Sequence, residues 1–159
     1  GHLNDYLRAT LASARDERNT LGDEFRLLAG YLEVIGVRMG PRLAFALELP
    51  DALKACEVPP MLLQPLVENA IKHGLEPKID GGRVEIGARA EDGRIVITVA
   101  DTGIGLGNSP APGTSLGLGL GNVRERIAAA YDGRASLAVA ARPGGGAIAS
   151  LSIPLEPAA

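Results

Sequence analysis

The chain has 159 residues, a formal charge of −3, and 46% hydrophobic against 22% charged residues, which excludes the disordered class and allows one ordinary domain with a short appendage. With 16 Lys and Arg against 19 Asp and Glu and no basic run, nucleic acid is not expected as a partner. One Cys and two His exclude a disulfide framework and a structural zinc site, and no apolar run approaches the roughly 18 residues needed to cross a bilayer, so no membrane contact is expected.

Leu3, Leu7, Leu11 and Ala14 share one helical stripe, which predicts a first helix over residues 3–14 before the polar run Asp16 to Asn19. Thr20 and Asp23 form a capping-box pair with Asp in place of Glu or Gln, and a second helix is expected to start there. Its apolar positions, Leu21, Phe25, Leu28, Leu32, Ile35 and Met39, step by fours and threes. That spacing suits either a helix packed on its own domain or a bundle seam that needs a partner helix. Gly40-Pro41 ends it, and a domain boundary is expected near Gly40. From Leu43 to Leu49 the period changes to two, which predicts a strand.

Val58-Pro59-Pro60 introduces a helix expected from about Met61 to His73, with Gly74 as its C-cap and a slight kink at Pro65. Strands are expected over 83–90 and 94–100, joined by Glu91-Asp92-Gly93, whose Asp-Gly pair suits a tight hairpin. A loop of about twenty residues follows, a length that compact domains keep mostly for function. Then come a helix over 122–131 and a last hairpin of 135–141 with 147–153 around Pro143-Gly144-Gly145-Gly146.

The long loop opens with Asp101-Thr102-Gly103-Ile104-Gly105-Leu106-Gly107 and closes with Gly117-Leu118-Gly119-Leu120-Gly121. Neither run is a Walker A motif or G-x-G-x-x-G. Glycines admit close approach of backbone N–H groups to a phosphate, and a following helix start adds unpaired donors, so an anion is expected near Gly119 to Val123. The alternative is a flexible connector. On the helix from Met61, Asn69 shares a face with Lys72 and His73 at i+3 and i+4, and Glu68 is adjacent. An amide oxygen suits Mg²⁺, while Lys and His suit phosphate oxygens. Lys72 and His73 also have an ordinary reading as cations at a helix C-terminus.

Three stretches resemble motifs of the LytS-type sensor histidine kinases. Residues 59–74, from Pro59-Pro60-Met61-Leu62 through Glu68-Asn69-Ala70-Ile71-Lys72-His73-Gly74, are similar to the N box. Asp101-Thr102-Gly103-Ile104-Gly105 resembles the G1 box, and Gly117 through Gly121 with Asn122-Val123-Arg124-Glu125-Arg126 resembles the G2 box. The motifs stand in family order across most of residues 41–155. Leu7-Arg8, Glu24, Tyr31-Leu32-Glu33 and Arg38 are similar to the end of the dimerisation and phosphotransfer region.

The resemblance implies an α+β fold, a two-layer α/β sandwich of the GHKL or Bergerat type, with a mixed sheet, helices on one face and a short helical stub before it. It divides the chain into a truncated helical dimerisation and phosphotransfer region, 1–40, and an ATP-binding catalytic domain, 41–159. Carried over by residue, Asp101 accepts a hydrogen bond from the adenine amino group, Gly103 and Gly105 let the chain pass close to the base, and Asn69 holds Mg²⁺ with Lys72 and His73 near the phosphates. Gly117, Leu118, Gly119, Leu120 and Gly121 line the polyphosphate, Glu68 assists a protein nucleophile, and Ser150 stands loosely where relatives carry a hydroxyl near adenine.

The related gyrase and Hsp90 ATPases place a carboxylate four residues before the metal-binding Asn, where this chain has Pro65, so slow water attack is implied. The implied reaction moves the ATP γ-phosphate to a His upstream of Leu3; His2, after Gly1 in a pair of the kind left by tag removal, and His73 are not expected to be the acceptor. The implied setting is cytoplasmic, in a homodimer of the full protein that works with a response regulator, the LytTR type among the options. The alternatives are a GHKL ATPase, a serine-directed anti-sigma kinase, and a dimerisation or scaffold module that binds no nucleotide.

Overall fold

The computed structural model describes residues 19–105 and 116–155, with the side chains of 116–119 outside that description; the expected first helix over 3–14 lies outside the described residues. Strand β1 (Asn19–Thr20) leads directly into helix α1 (Leu21–Met39). The expected capping box is present: Asp23 N–H donates to Thr20 Oγ1 at 3.1 Å, and Thr20 N–H to Asp23 Oδ2 at 3.3 Å. The stripe of α1 packs on its own domain, since Leu21, Phe25, Leu28, Leu32 and Met39 are buried in the same core as the sheet. Of the two readings of that spacing, the intramolecular one describes this helix.

Strand β2 (Leu43–Glu48) is followed by the short β3 (Glu57–Val58), which pairs antiparallel with β1. Helix α2 (Gln64–Asn69) continues as a π-helical stretch, Ala70–Leu75, with Glu76 N–H donating to the Ile71 carbonyl at 2.8 Å. Three expectations need correction here. The helix starts at Gln64 rather than Met61, because Met61 sits at φ +58, in the left-handed region that a right-handed helix cannot include. Pro65 therefore falls in the first turn, where its missing N–H costs no intrahelical bond and forces no kink. Gly74 is not the C-cap but lies inside the π stretch.

Strands β4 (Gly82–Glu91) and β5 (Arg94–Asp101) form the expected hairpin, with Asp92 at φ +50 and Gly93 at φ +77. Helix α3 runs from Leu116 to Tyr131, six residues earlier than the expected start at Asn122. Each glycine in Gly117-Leu118-Gly119-Leu120-Gly121 lowers helix propensity by about 1 kcal/mol, which argues from sequence for a later start. Burial of Leu120 in line with Val123, Ile127 and Tyr131 extends the packed stripe back through that run. Strands β6 (Ser136–Ala141) and β7 (Ala147–Pro154) complete a five-stranded sheet of order β2-β4-β5-β7-β6. Among the described strands of this sheet, only β2 with β4 is parallel.

One sheet face carries Val84, Ile86, Ile95, Ile97, Val99, Leu151 and Ile153, all buried under the helices. Its neighbour positions along each strand, among them Arg83, Glu85, Thr98 and Ser152, lie on the other face. The architecture is the expected two-layer α+β sandwich with a mixed sheet and helices on one face. Among the described residues, no helix is long and apolar enough to cross a membrane.

Candidate functional site

Period-two alternation on β5 places Asp101 on the core side, two residues beyond Val99, at the end of the strand where the sheet opens. Register sets Asp101 opposite Ala147, and Val99 opposite Ala149. The helix α2 and its π continuation cross above and contribute Leu66, Asn69, Ala70, His73 and Gly74. Between these layers is a cavity of about 510 Å³, including its open mouth, also lined by Gly105, Leu120 and Val139. Most of the lining is aliphatic, with Asp101, Asn69 and His73 as its polar side chains. A slot with aliphatic walls and a few polar side chains suits a flat heteroaromatic ring with a polar tail.

Asp101 is only 5% exposed. Burial pushes its carboxyl above the ordinary 3.8, opposed by hydrogen bonds from the Gly103 and Ala147 N–H groups and by the charges of Arg142 and Lys78. The Gly103 bond to Oδ1 measures 2.8 Å. Glycines make the close approach possible. A Cβ on Gly74 would lie 2.7 Å from Asp101 Oδ1, and one on Gly103 would lie 2.2 Å from the Gly74 carbonyl. A Cβ on Gly146 would lie 1.9 Å from the Asp101 carbonyl oxygen. Ile104 N–H donates to the Gly74 carbonyl at 3.0 Å, tying the start of the loop to the helix.

Of the residues singled out in the sequence, Asn69, His73, Asp101, Gly105 and Leu120 meet at this cavity. Asn69 Nδ2 and His73 Nε2 are buried there with no hydrogen-bond partner among the described residues. Two buried nitrogens without partners, facing a cavity, are suited to a ligand that brings oxygen atoms.

Glu68 and Lys72 are exposed and do not line the cavity, and Glu68 accepts a bond from Gln64 Nε2 at 3.3 Å. The i→i+5 bonding widens the turns, so His73 and Gly74, four and five residues on, share the face of Asn69 while Lys72 swings outward. Gly103 packs behind Asp101 against Gly74 instead of lining the cavity. Gly117, Gly119 and Gly121 lie in the opening turns of α3, and the Leu118 side chain is outside the described atoms, as are Leu106 and Gly107. Ser150 is not brought to the cavity: Ala147 and Ala149 of β7 line it, so alternation turns Ser150 to the opposite face.

Sequence reasoning missed the apolar walls. Leu66, Ala70, Val99, Val139, Ala147 and Ala149 read as ordinary core. Helical spacing from Asn69 and strand spacing from Asp101 are the signals that pick out Leu66 and Val99. Gly74 was legible as a glycine but not as the space beside Asp101. Among the described residues, no group of three His, Cys, Asp or Glu side chains is placed to hold a metal ion. A metal here would have to arrive with a ligand that supplies most of its oxygens.

The sequence model described as histidine kinase-, DNA gyrase B- and HSP90-like ATPase matches residues 60–157. The sensor protein LytS of Oceanobacillus iheyensis is 34% identical over 104 residues, 65% of this chain and 18% of that protein. LytS of Bacillus subtilis is 29% identical over 163 aligned residues, which cover 97% of this chain and 28% of that protein. This chain thus spans well under a third of the length of either relative. Its fold is similar to the nucleotide-free catalytic domain of the histidine kinase ThkA, with a TM-score of 0.65 at 20% identity over 89% of this chain and 97% of that one. The chain belongs to the family of histidine kinase-, DNA gyrase B- and HSP90-like ATPases, and the relatives it matches include LytS sensor proteins.

Proposed function

We propose that this chain is the ATP-binding catalytic domain of a sensor histidine kinase, and that the cavity under helix α2 takes the adenine ring. The observation that carries this reading is the buried Asp101 carboxylate on an aliphatic floor, opposite the unpartnered nitrogens of Asn69 and His73. A fixed acceptor matches the amino group of adenine and opposes the carbonyl of guanine, which leaves two acceptors facing each other. Gly105 passes beside the ring, and Gly103 orients Asp101 through its N–H.

Asn69 would hold Mg²⁺ through its amide oxygen, with phosphate oxygens and water as the remaining ligands. Mg²⁺ supplies charge neutralisation for the polyphosphate. His73 meets a phosphate oxygen from the cavity wall, and Lys72 reaches the outer phosphates from the exposed side. Gly117, Gly119 and Gly121, with Leu118 and Leu120 between them, carry the polyphosphate at the start of α3. Glu68, exposed one residue before Asn69, is positioned to assist an incoming protein nucleophile.

The full protein transfers the γ-phosphate from ATP to an imidazole nitrogen of a histidine upstream, leaving ADP, and then passes it to a response regulator, for which the LytTR type is our candidate. We further propose that residues 1–40 belong to the dimerisation and phosphotransfer region of a homodimer, that 41–159 hold the nucleotide residues, and that both lie in the cytoplasm with ATP. Calorimetry tests the core of this: Mg-ATP is expected to bind, and Mg-GTP to bind at least about a hundredfold more weakly. Incubation with γ-labelled ATP is expected to leave no stable label on this chain. Equal binding of both nucleotides, or none of either, defeats the adenine assignment.

A further inference from the structure

Glu24 is only 2% exposed and stands outside the cavity. A buried carboxylate needs its oxygens satisfied, and most of the donors here come from a different element. Oε1 accepts the N–H of Leu62 at 2.7 Å and of Leu63 at 3.4 Å. Oε2 accepts the N–H of Met61 at 3.1 Å and Asn19 Nδ2 at 3.2 Å. These three backbone donors belong to the turn that leads into α2, so a side chain of α1 holds the approach to the helix that carries Asn69 and His73. From the other side, Arg126 of α3 donates through Nη1 to the Met61 carbonyl at 2.9 Å and through Nη2 to the Pro60 carbonyl. Between the two clamps Met61 holds φ +58, a conformation an unbranched L side chain seldom adopts without support from its surroundings.

We propose that the Pro60–Leu63 turn is the joint that sets the position of the nucleotide helix, with Glu24 and Arg126 as its positioning residues. Helix α1 enters this joint already tied to the chain just before it, since Leu21 N–H donates to the Cys56 carbonyl at 2.8 Å and Gly22 N–H to the Lys54 carbonyl at 3.0 Å. A shift of α1 therefore pulls on the turn through Glu24, and a shift of α3 pulls through Arg126. Both act on Asn69, His73 and Gly74 without touching the ligand. The proposal rests on the ATP-binding reading and adds how the site is coupled to the helix that precedes it.

Glu24→Gln keeps the shape but turns an NH₂ group toward peptide donors. It is expected to weaken Mg-ADP binding about tenfold by calorimetry. In the ligand-free protein it is expected to speed hydrogen exchange of amides 62–75 by about tenfold, while amides of β5 keep their protection. Arg126→Lys, which keeps the charge but loses the two-pronged contact, is expected to act in the same direction. The double variant is expected to lose less than the product of the two single losses, because both side chains hold one turn. If Glu24→Gln does not fold, Arg126→Lys gives the same two readouts. Variants that melt earlier yet bind Mg-ADP like the wild type well below their melting temperature overturn the proposal, leaving Glu24 and Arg126 as stabilisers only. A wild-type chain that binds no nucleotide overturns the ATP reading itself, an outcome distinct from wild type and variants binding alike.

Discussion

Asp101 sits where its own solvation argues against it. Its carboxyl is buried beside Val99, Ala147 and Ala149, and two N–H groups with two more distant cations return only part of the lost hydration. The carboxyl is consequently pushed above 3.8, the value it takes in the unfolded chain. Between those two values the native chain holds a proton that the unfolded chain has released, so the contribution of Asp101 to stability is present below 3.8 and is lost as pH rises through the native value. Asp101→Asn keeps an acceptor for the Gly103 N–H and removes the buried charge, but presents NH₂ where, in the proposed pose, adenine also presents NH₂. The variant is expected to match the wild type in unfolding free energy at pH 7 within about 1 kcal/mol. As pH falls toward about 4 the wild type is expected to gain on it. Its Mg-ATP affinity is expected to fall at least about tenfold. Denaturant titrations across pH, beside calorimetry, read both halves; a variant that binds as well as the wild type removes Asp101 from the site.

At the scale of elements, legibility followed how local each cause was. The Thr20 cap, the Asp92-Gly93 turn and the alternation of β5 depend on neighbours within a few residues, and all were readable. The π stretch from Ala70 to Leu75 was not, because its cause is tertiary: the helix must bring Gly74 against Asp101 and Gly103, and no local propensity encodes that approach. The same holds for α3, whose glycine-rich first turns oppose a helix locally while the packing of Leu120 supports one. Ser150 illustrates a third limit, since resemblance supplied a hydroxyl and the pleat of β7 turned it to the wrong face.

The heptad-like stripe of α1 was readable as a stripe but silent about what it covers, and the answer lies in long-range contacts with the sheet and α2. Because Leu32 is fully buried in that shared core, Leu32→Ala is expected to cost about 2–5 kcal/mol of unfolding free energy. A partner-facing seam would lose far less in the isolated chain. Thermal or denaturant unfolding of the variant distinguishes the two, and a cost under about 0.5 kcal/mol, typical of exposed positions, contradicts the packing described here.

For the whole molecule, the cavity is an interface among its own elements. Asn69 and His73 come from α2 and its continuation, Asp101 from β5, Leu120 from α3, Val139 from β6, and Ala147 with Ala149 from β7. None of these walls exists once the layers separate, so a nucleotide that fills the cavity binds the folded chain and not the unfolded one. Linkage then fixes the size of the response: at a ligand concentration of 100 times Kd the folded state gains about 2.7 kcal/mol. A chain of this length shifts its midpoint by roughly 2–4 °C per kcal/mol, so Mg-ATP at that excess is expected to raise Tm by about 5–10 °C. Chelating the metal is expected to remove much of the shift given by ATP and little of any shift given by adenosine, because in the proposed pose Asn69 acts on the polyphosphate end while Asp101 acts on the ring. Scanning calorimetry with the two ligands, with and without chelator, separates the ends of the site. A shift from ATP that is indifferent to the metal would place the triphosphate away from Asn69, and a shift equal in Asp101→Asn would place the ring away from β5.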